Sequence, residues 1–166
     1  MKEYLYLGKI VNTHGIKGEL RMMSDFDKKE LVFKEGFPIF IGVEKLSETI
    51  ETYRTHKNFD MITLKGYTNI NEVLKYLNHK VYIKKEDLNL SKHDYVLEEL
   101  LNCQIVFNDK IIGQVEEIVY NKANILLKAQ TLDGKIFYIP KNEAFIKEVN
   151  IEKKRIVGQN IQGLII

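Results

Sequence analysis

The densest run of chemistry-bearing residues is Gly8-Lys9-Ile10-Val11-Asn12-Thr13-His14-Gly15-Ile16-Lys17-Gly18-Glu19-Leu20-Arg21. It reads as strand, loop, strand. Gly15 and Gly18 permit positive φ and so form the loop. His14, Lys17 and Arg21 then place an imidazole and two cationic donors on or beside it, where phosphates or RNA bases can be met. The plainer reading is that the glycines only turn the chain and His14 bonds its own backbone. A catalytic reading makes His14 a base and Glu19 its orienting acid. Against it, no serine or cysteine nucleophile stands beside them, and the loop lacks the Gly-Lys-Ser/Thr ending of a nucleotide-phosphate loop.

The remaining candidates carry less. His56, His79 and His93 are scattered, with no cysteine nearby, so surface positions are expected rather than metal ligands. Cys103 runs into Gln104-Ile105-Val106, and a buried, inert thiol is expected there. Glu98-Glu99 and Glu116-Glu117 read as solvated faces. Tyr95 precedes Leu97 and Leu100-Leu101; it either packs a domain junction or anchors a partner, and packing is the simpler role. Tyr4, Tyr6, Tyr53 and Tyr82 are spread among strands with no clustered stripe. That counts against a general RNA-binding barrel protein, which stacks bases on grouped aromatics.

The elements that must position these residues are mostly short strands. Candidates are Tyr4 to Val11, Leu20 to Met23, Phe37 to Val43, Thr49 to Thr55, Met61 to Lys65 and Val81 to Ile83, all rich in β-formers. Ile70, Val73, Leu74 and Leu77 lie at i, i+3, i+4 and i+7, one stripe of a short helix that Asn69 or Asn71 can cap. Polar residues from Glu86 to Asp94 give a linker over 86–93, separating a first domain, 1–85, from a second, 94–166. In the second, Gln104 to Phe107 and Ile111 to Tyr120 flank the turn Asn108-Asp109-Lys110. Ile125 to Thr131 and Ile136 to Ile139 flank Asp133-Gly134, a hairpin signal, and Pro140 stops the strand. Asn142 to Glu148 is expected as a short helix, with Asn142 its cap. Val149 to Ile151 and Arg155 to Val157 read as a last hairpin. The fold class expected is all-β: two small β-barrels with a few short helices.

Composition bounds the function. Of 166 residues, 45% are hydrophobic and 29% charged, which suits a soluble globular chain rather than a disordered one. The longest apolar runs fall far short of a membrane span. Met1-Lys2-Glu3-Tyr4 opens with an early acid and no apolar stretch, so no signal peptide is expected. A single cysteine forms no internal disulfide, and a reducing cytoplasm is the simple inference. Residues 1–85 hold 15 Lys+Arg against 11 Asp+Glu, and residues 86–166 hold 10 against 12. The front half therefore tolerates RNA phosphates and the rear half suits a basic protein.

An ordered series of motifs resembles the RimM family. His-Gly-x-x-Gly-Glu at His14 to Glu19 looks like the family's opening signature. Leu64-Lys65-Gly66 with Glu72, Val73 and Leu77 is similar to the strand, glycine and helix near the end of its first domain. Asp94-Tyr95 with Glu99-Leu100-Leu101 resembles the start of its second domain, a PRC barrel. Ile112-Gly113-Gln114-Val115, Ile139-Pro140, Phe145 to Val149 and the final Gly163-Leu164 follow in order. Four positions depart from the pattern. Thr68-Asn69 replace a common Asp-Arg pair, Val96 stands where a second aromatic is common, and Asn102 where a glycine is usual.

The resemblance implies a cytoplasmic, non-enzymatic factor for maturation of the small ribosomal subunit's head. Such a factor binds the basic head ribosomal protein numbered nineteen and the immature 30S subunit, and assists processing of 16S rRNA. It implies no cofactor, no metal and no membrane, and a monomer is expected. Tyr95, Val96 and Leu97 would carry the ribosomal-protein contact. His14, Lys17 and Arg21, on the loop shaped by Gly15 and Gly18, would face RNA or the ribosomal surface.

Overall fold

The chain divides into two units, Met1–Asp94 and Tyr95–Ile166. The computed structural model describes residues 3–121 and 124–165. Met1 and Lys2, which open the stretch read against a signal peptide, lie outside the described residues.

In the first unit, β1 (Tyr4–His14), β2 (Glu19–Met23), β3 (Pro38–Ile41), β4 (Leu46–His56), β5 (Phe59–Leu64) and β6 (Lys80–Lys84) close into a barrel of order β1-β2-β5-β4-β3-β6. Closure removes the free strand edges that a sheet of this size would otherwise expose. Period-2 alternation builds the core: Leu5 and Leu7 of β1, Leu20 and Met22 of β2, and Val81 and Ile83 of β6 point inward and are buried. β1 pairs with both β2 and β6, and its register shifts between Tyr6 and Gly8 and between Ile10 and Asn12. These bulges bend one long strand so that it serves two neighbours. β4 and β5 join through Lys57-Asn58, both at positive φ (49° and 68°), the two-residue hairpin whose twist matches the strands.

The expected helix is shorter than its stripe. α1 (Ile70–Val73) gives way at once to a 3₁₀ turn, Leu74–Tyr76. Residues three apart eclipse in a 3₁₀ turn. Val73 and Tyr76 therefore share the buried side and Leu74 is 44% exposed, where an i, i+4 stripe had placed it inward. The expected linker over 86–93 also begins structured: Lys85–Leu88 is a 3₁₀ turn and Leu88 is buried.

In the second unit, β7 (Gln104–Phe107), β8 (Lys110–Tyr120), β9 (Ile125–Thr131), β10 (Ile136–Pro140), β11 (Ile146–Asn150) and β12 (Arg155–Gly158) form a sheet of order β10-β9-β8-β7-β12-β11. β12 runs parallel to β7 and the other neighbours are antiparallel. The sheet curls over Leu100, Cys103, Ile105, Val115, Leu127, Ile139 and Ile156, all fully buried. Cys103 is the buried thiol expected, and its pKa is pushed up by that burial. A Cβ on Gly113 would fall on the Gln130 carbonyl oxygen, so the close approach of β8 and β9 requires glycine there. Asn102, in place of the usual glycine, sits at φ 65°, a conformation asparagine tolerates better than other side chains.

The helix expected over 142–148 is not formed. Phe145 N and Ile146 N both donate to the Asn142 carbonyl, at 3.2 and 2.9 Å, and the Asn142 side chain accepts from Ala144 N at 2.9 Å. That single turn stops because Ile146 enters a ladder with Gly158 of β12. One turn is a poor helix nucleus, whereas the ladder supplies partners along the whole strand.

Candidate functional site

The loop between β1 and β2 is seated on the start of α1. Gly15 and Gly18 take φ of +72° and +94°. A Cβ on Gly18 would lie 3.2 Å from the Asn69 carbonyl oxygen, and Ile70 N donates to Ile16 O at 2.9 Å. Asn69 caps the helix by accepting from Glu72 N at 3.3 Å, while the Glu72 carboxylate accepts from Asn69 N at 3.1 Å and Thr68 N at 2.9 Å. This reciprocal cap satisfies donors that the helix start leaves free. The backbone donors of Thr68 and Asn69 also hold the Glu72 carboxyl below its usual range. Thr68-Asn69 thus support the loop without the family's common Asp-Arg pair.

His14 and Arg21 meet across β1 and β2, with Arg21 Nη2 3.3 Å from His14 Nδ1. Arginine only donates, so Nδ1 is the accepting atom of this contact. The Arg21 guanidinium lies over the Phe59 ring at 4.9 Å, and the His56 ring stands 5.3 Å from that of His14. Sequence spacing hid Arg54, His56 and Phe59, because the order β1-β2-β5-β4 is what brings them beside the loop. His56 is held below its ordinary pKa by desolvation first, then by Arg54 and His14. Lys17 stands exposed on the turn.

Glu19 does not orient His14. Both its oxygens are taken by Arg54 at 2.8 Å, and that hydrogen bonding keeps its carboxyl below the usual range. The base-and-acid pair of the catalytic reading is therefore not assembled. What the cluster offers instead is imidazole and guanidinium groups held in place by Phe59 and α1, a setting suited to an anion. Beside it, Lys29, His56, Lys57, Asn58 and Asp60 line an open cleft. Among the described residues, no group of three or more His, Cys, Asp or Glu is placed to hold a metal ion. No described helix is long and apolar enough to cross a membrane.

In the second unit, Tyr95 is half-buried against the core and its ring lies 5.3 Å from the Lys141 ammonium. It borders an open cleft with Asn142, Glu143, Ile146, Lys147 and Glu148. Val96 is fully buried and Leu97 is 7% exposed, so their side chains present almost no surface. Glu99, expected on a solvated face, is only 1% exposed; its carboxylate accepts the Val96 N–H at 3.1 Å at the start of the 3₁₀ turn Leu97–Leu100. Glu116 and Glu117 are exposed as expected, each near Lys128.

The tyrosines require a further correction. Tyr4, Tyr6 and Tyr82 share one outer face of the barrel, because β1 and β6 are neighbours. Tyr53 stands apart, stacked on Phe33 and donating to Asp60 at 2.6 Å. The alternation of Tyr4 and Tyr6 with Leu5 and Leu7 was the signal in the sequence; the pairing of β1 with β6 was not readable there.

Two small β units in tandem, with their polar clusters on the surface, define a two-module all-β protein. Residues 5–88 match the RimM N-terminal domain and residues 97–164 the RimM PRC barrel domain. The ribosome maturation factor RimM of Exiguobacterium sp. (strain ATCC BAA-1283 / AT1b) is 37% identical, over 98% of this chain and 97% of its own length. The corresponding factor of Shouchella clausii (strain KSM-K16) is 32% identical, over 99% and 98%. A solved structure of RimM from Pseudomonas aeruginosa is 16% identical over 95% of this chain and 97% of its own, with a TM-score of 0.43. The chain belongs to the RimM family.

Proposed function

We propose that this chain is a non-enzymatic assembly factor for the head of the small ribosomal subunit. It binds the basic head ribosomal protein numbered nineteen on the immature 30S subunit and assists processing of 16S rRNA. The observation that carries this reading is kinship with ribosome maturation factors over nearly the whole chain, with both modules in order. The protein works in the cytoplasm as a monomer and needs no cofactor.

Tyr95 makes the ribosomal-protein contact, with the cleft beside it. Val96 and Leu97 serve that contact from within the core, by fixing the backbone that presents Tyr95. The acidic excess of residues 86–166 favours a basic partner, since complementary charge steers association. His14, Lys17 and Arg21 face RNA or the ribosomal surface.

Co-sedimentation tests the whole reading: the protein should travel with immature small subunits and not with mature 30S or 70S particles. Equal binding to all three sinks it. Tyr95→Ala in the full chain should weaken capture of the purified head protein by about tenfold or more. Lys17→Ala with Arg21→Ala should weaken binding to immature subunits and flatten its salt dependence. A second reading, a general RNA-binding barrel protein, is favoured by the grouping of Tyr4, Tyr6 and Tyr82. It predicts indifference to the maturation state of the subunit.

A further inference from the structure

The outer face where β1, β6 and β3 meet serves neither the His14 loop nor Tyr95. Leu5, Leu7, Val81 and Ile83 point into the barrel, so alternation sends Tyr4 and Tyr6 outward from β1, and Lys80, Tyr82 and Lys84 outward from β6. Register sets Tyr6 opposite Tyr82 and Tyr4 opposite Lys84, while Phe40 of β3 flanks Tyr82 on its other side. The rings meet edge to face, Tyr6 with Tyr82 at 5.9 Å and Tyr4 with Phe40 at 5.4 Å. Tyr4 is 38% exposed, Tyr6 37% and Tyr82 half-buried, whereas Phe40 is buried, so solvent meets the tyrosine rings rather than Phe40.

Its charge is one-sided. Lys9 lies directly opposite Lys80 in the β1–β6 ladder, a like-charge pairing that disfavours the sheet unless an anion relieves it. Lys45, from the turn after β3, holds its ammonium 4.1 Å from the Tyr82 ring centre and 5.5 Å from that of Tyr4. Lys84 stands 4.7 Å over Phe40 and Lys80 6.0 Å over Tyr6. No described carboxylate forms an ion pair with Lys9, Lys45, Lys80 or Lys84. Ring faces bordered by unneutralised ammonium groups match a single strand, whose bases stack while its phosphates take the cations. A duplex keeps its bases stacked on one another, and an acidic peptide brings charge without flat rings.

We infer that this tyrosine–lysine face binds unpaired RNA, stacking bases on Tyr6 and Tyr82 and pairing phosphates with Lys45 and Lys80. An arriving base displaces the Lys45 ammonium from the Tyr82 ring, and that ammonium moves to a phosphate. The choice of RNA rests on the ribosomal reading above; the stacking rests on the face itself. Co-sedimentation tests that ribosomal reading separately, so the failure of either leaves the other measurable.

The full chain is titrated into a labelled oligo(U) of about ten nucleotides, near the site size of one small barrel, and followed by anisotropy. Tyr6→Leu with Tyr82→Leu should weaken binding about tenfold, because the apolar volume stays and the π-face goes. Tyr6→Phe with Tyr82→Phe should bind within about threefold of the unaltered protein, since the ring is what stacks. Lys45→Ala with Lys80→Ala should lower the log–log salt slope by about 1.4, at about 0.7 per single-strand phosphate contact. The protein has no tryptophan, so its intrinsic emission comes from tyrosine and should be quenched as bases stack. Circular dichroism checks the fold of each variant. If the leucine pair does not fold, the phenylalanine and alanine pairs and the competitors decide. The inference is overturned if oligo(U) does not bind at low salt, or if the leucine pair folds and binds unchanged. Equal competition by an RNA duplex or by polyglutamate also overturns it, as does tighter binding of oligo(dT).

Discussion

Arg54 links two titrations on the surface of the first barrel. Its guanidinium grips both oxygens of Glu19 at 2.8 Å and also helps to hold the His56 imidazole below its ordinary range. Arg54→Ala should therefore raise both pKa values, which NMR titration of the side chains reads directly. His56 should rise only part of the way, because desolvation is its larger cause. The signs follow from linkage. A carboxyl depressed in the folded state adds stability that is complete above its unfolded value and is lost as pH falls through the folded one. The difference in stability between the unaltered protein and Arg54→Ala should thus be present at neutral pH and disappear in acid. It should be small and salt-sensitive, since the pair is solvent-screened. His56 acts in the same direction over a higher pH range: the folded chain resists its proton, so stability also declines as pH falls through the ordinary imidazole range. At the same scale, the loop's two glycines are unequal. Gly18→Ala meets the Asn69 carbonyl at φ +94°, whereas Gly15→Ala, at φ +72°, meets nothing within 4 Å. Thermal unfolding should show a loss of about 2–3 kcal/mol for the first and about 1 kcal/mol for the second. Equal losses would remove the packing argument for Gly18.

At the scale of elements, α1 works as a seat for the loop rather than as part of the barrel wall. Its cap is local: Asn69 and Glu72 satisfy each other's backbone donors. The loop borrows that order through Ile70 N and Ile16 O, so the two motifs, far apart in sequence, are one structural unit. Asn69→Ala should cost about 1 kcal/mol in urea unfolding. It should also speed hydrogen exchange at the Ile70 amide; protection there unchanged would show that the loop does not depend on the cap. Most of the strands were legible from alternation and turn chemistry, as the turns at Asn108-Asp109 and Asp133-Gly134 illustrate. The segment after Asn142 was misread because its apolar positions fit a helix locally, while β12, which claims Ile146 to Asn150, is specified elsewhere in the chain.

At the scale of the molecule, the two units carry separate cores, one inside the closed barrel and one on the curled sheet. Ile62→Ala in the first core and Leu127→Ala in the second should each cost about 2–5 kcal/mol. Hydrogen-exchange mapping should confine each loss of protection to its own unit, and spread of either loss across both would mean the cores are coupled. The sequence alone determined the all-β class, most strands, the positions of the turns and, through its ordered motifs, the family, because these depend on residue type and short spacing. Tertiary structure decided which outward side chains became neighbours. It joined His56 and Phe59 to His14 and Arg21, gave Glu19 to Arg54, buried Val96 and Leu97, and gathered Tyr4, Tyr6 and Tyr82 on one face. Alternation tells which way a side chain points, but strand order and register decide what it meets, and those are set by pairing between distant segments.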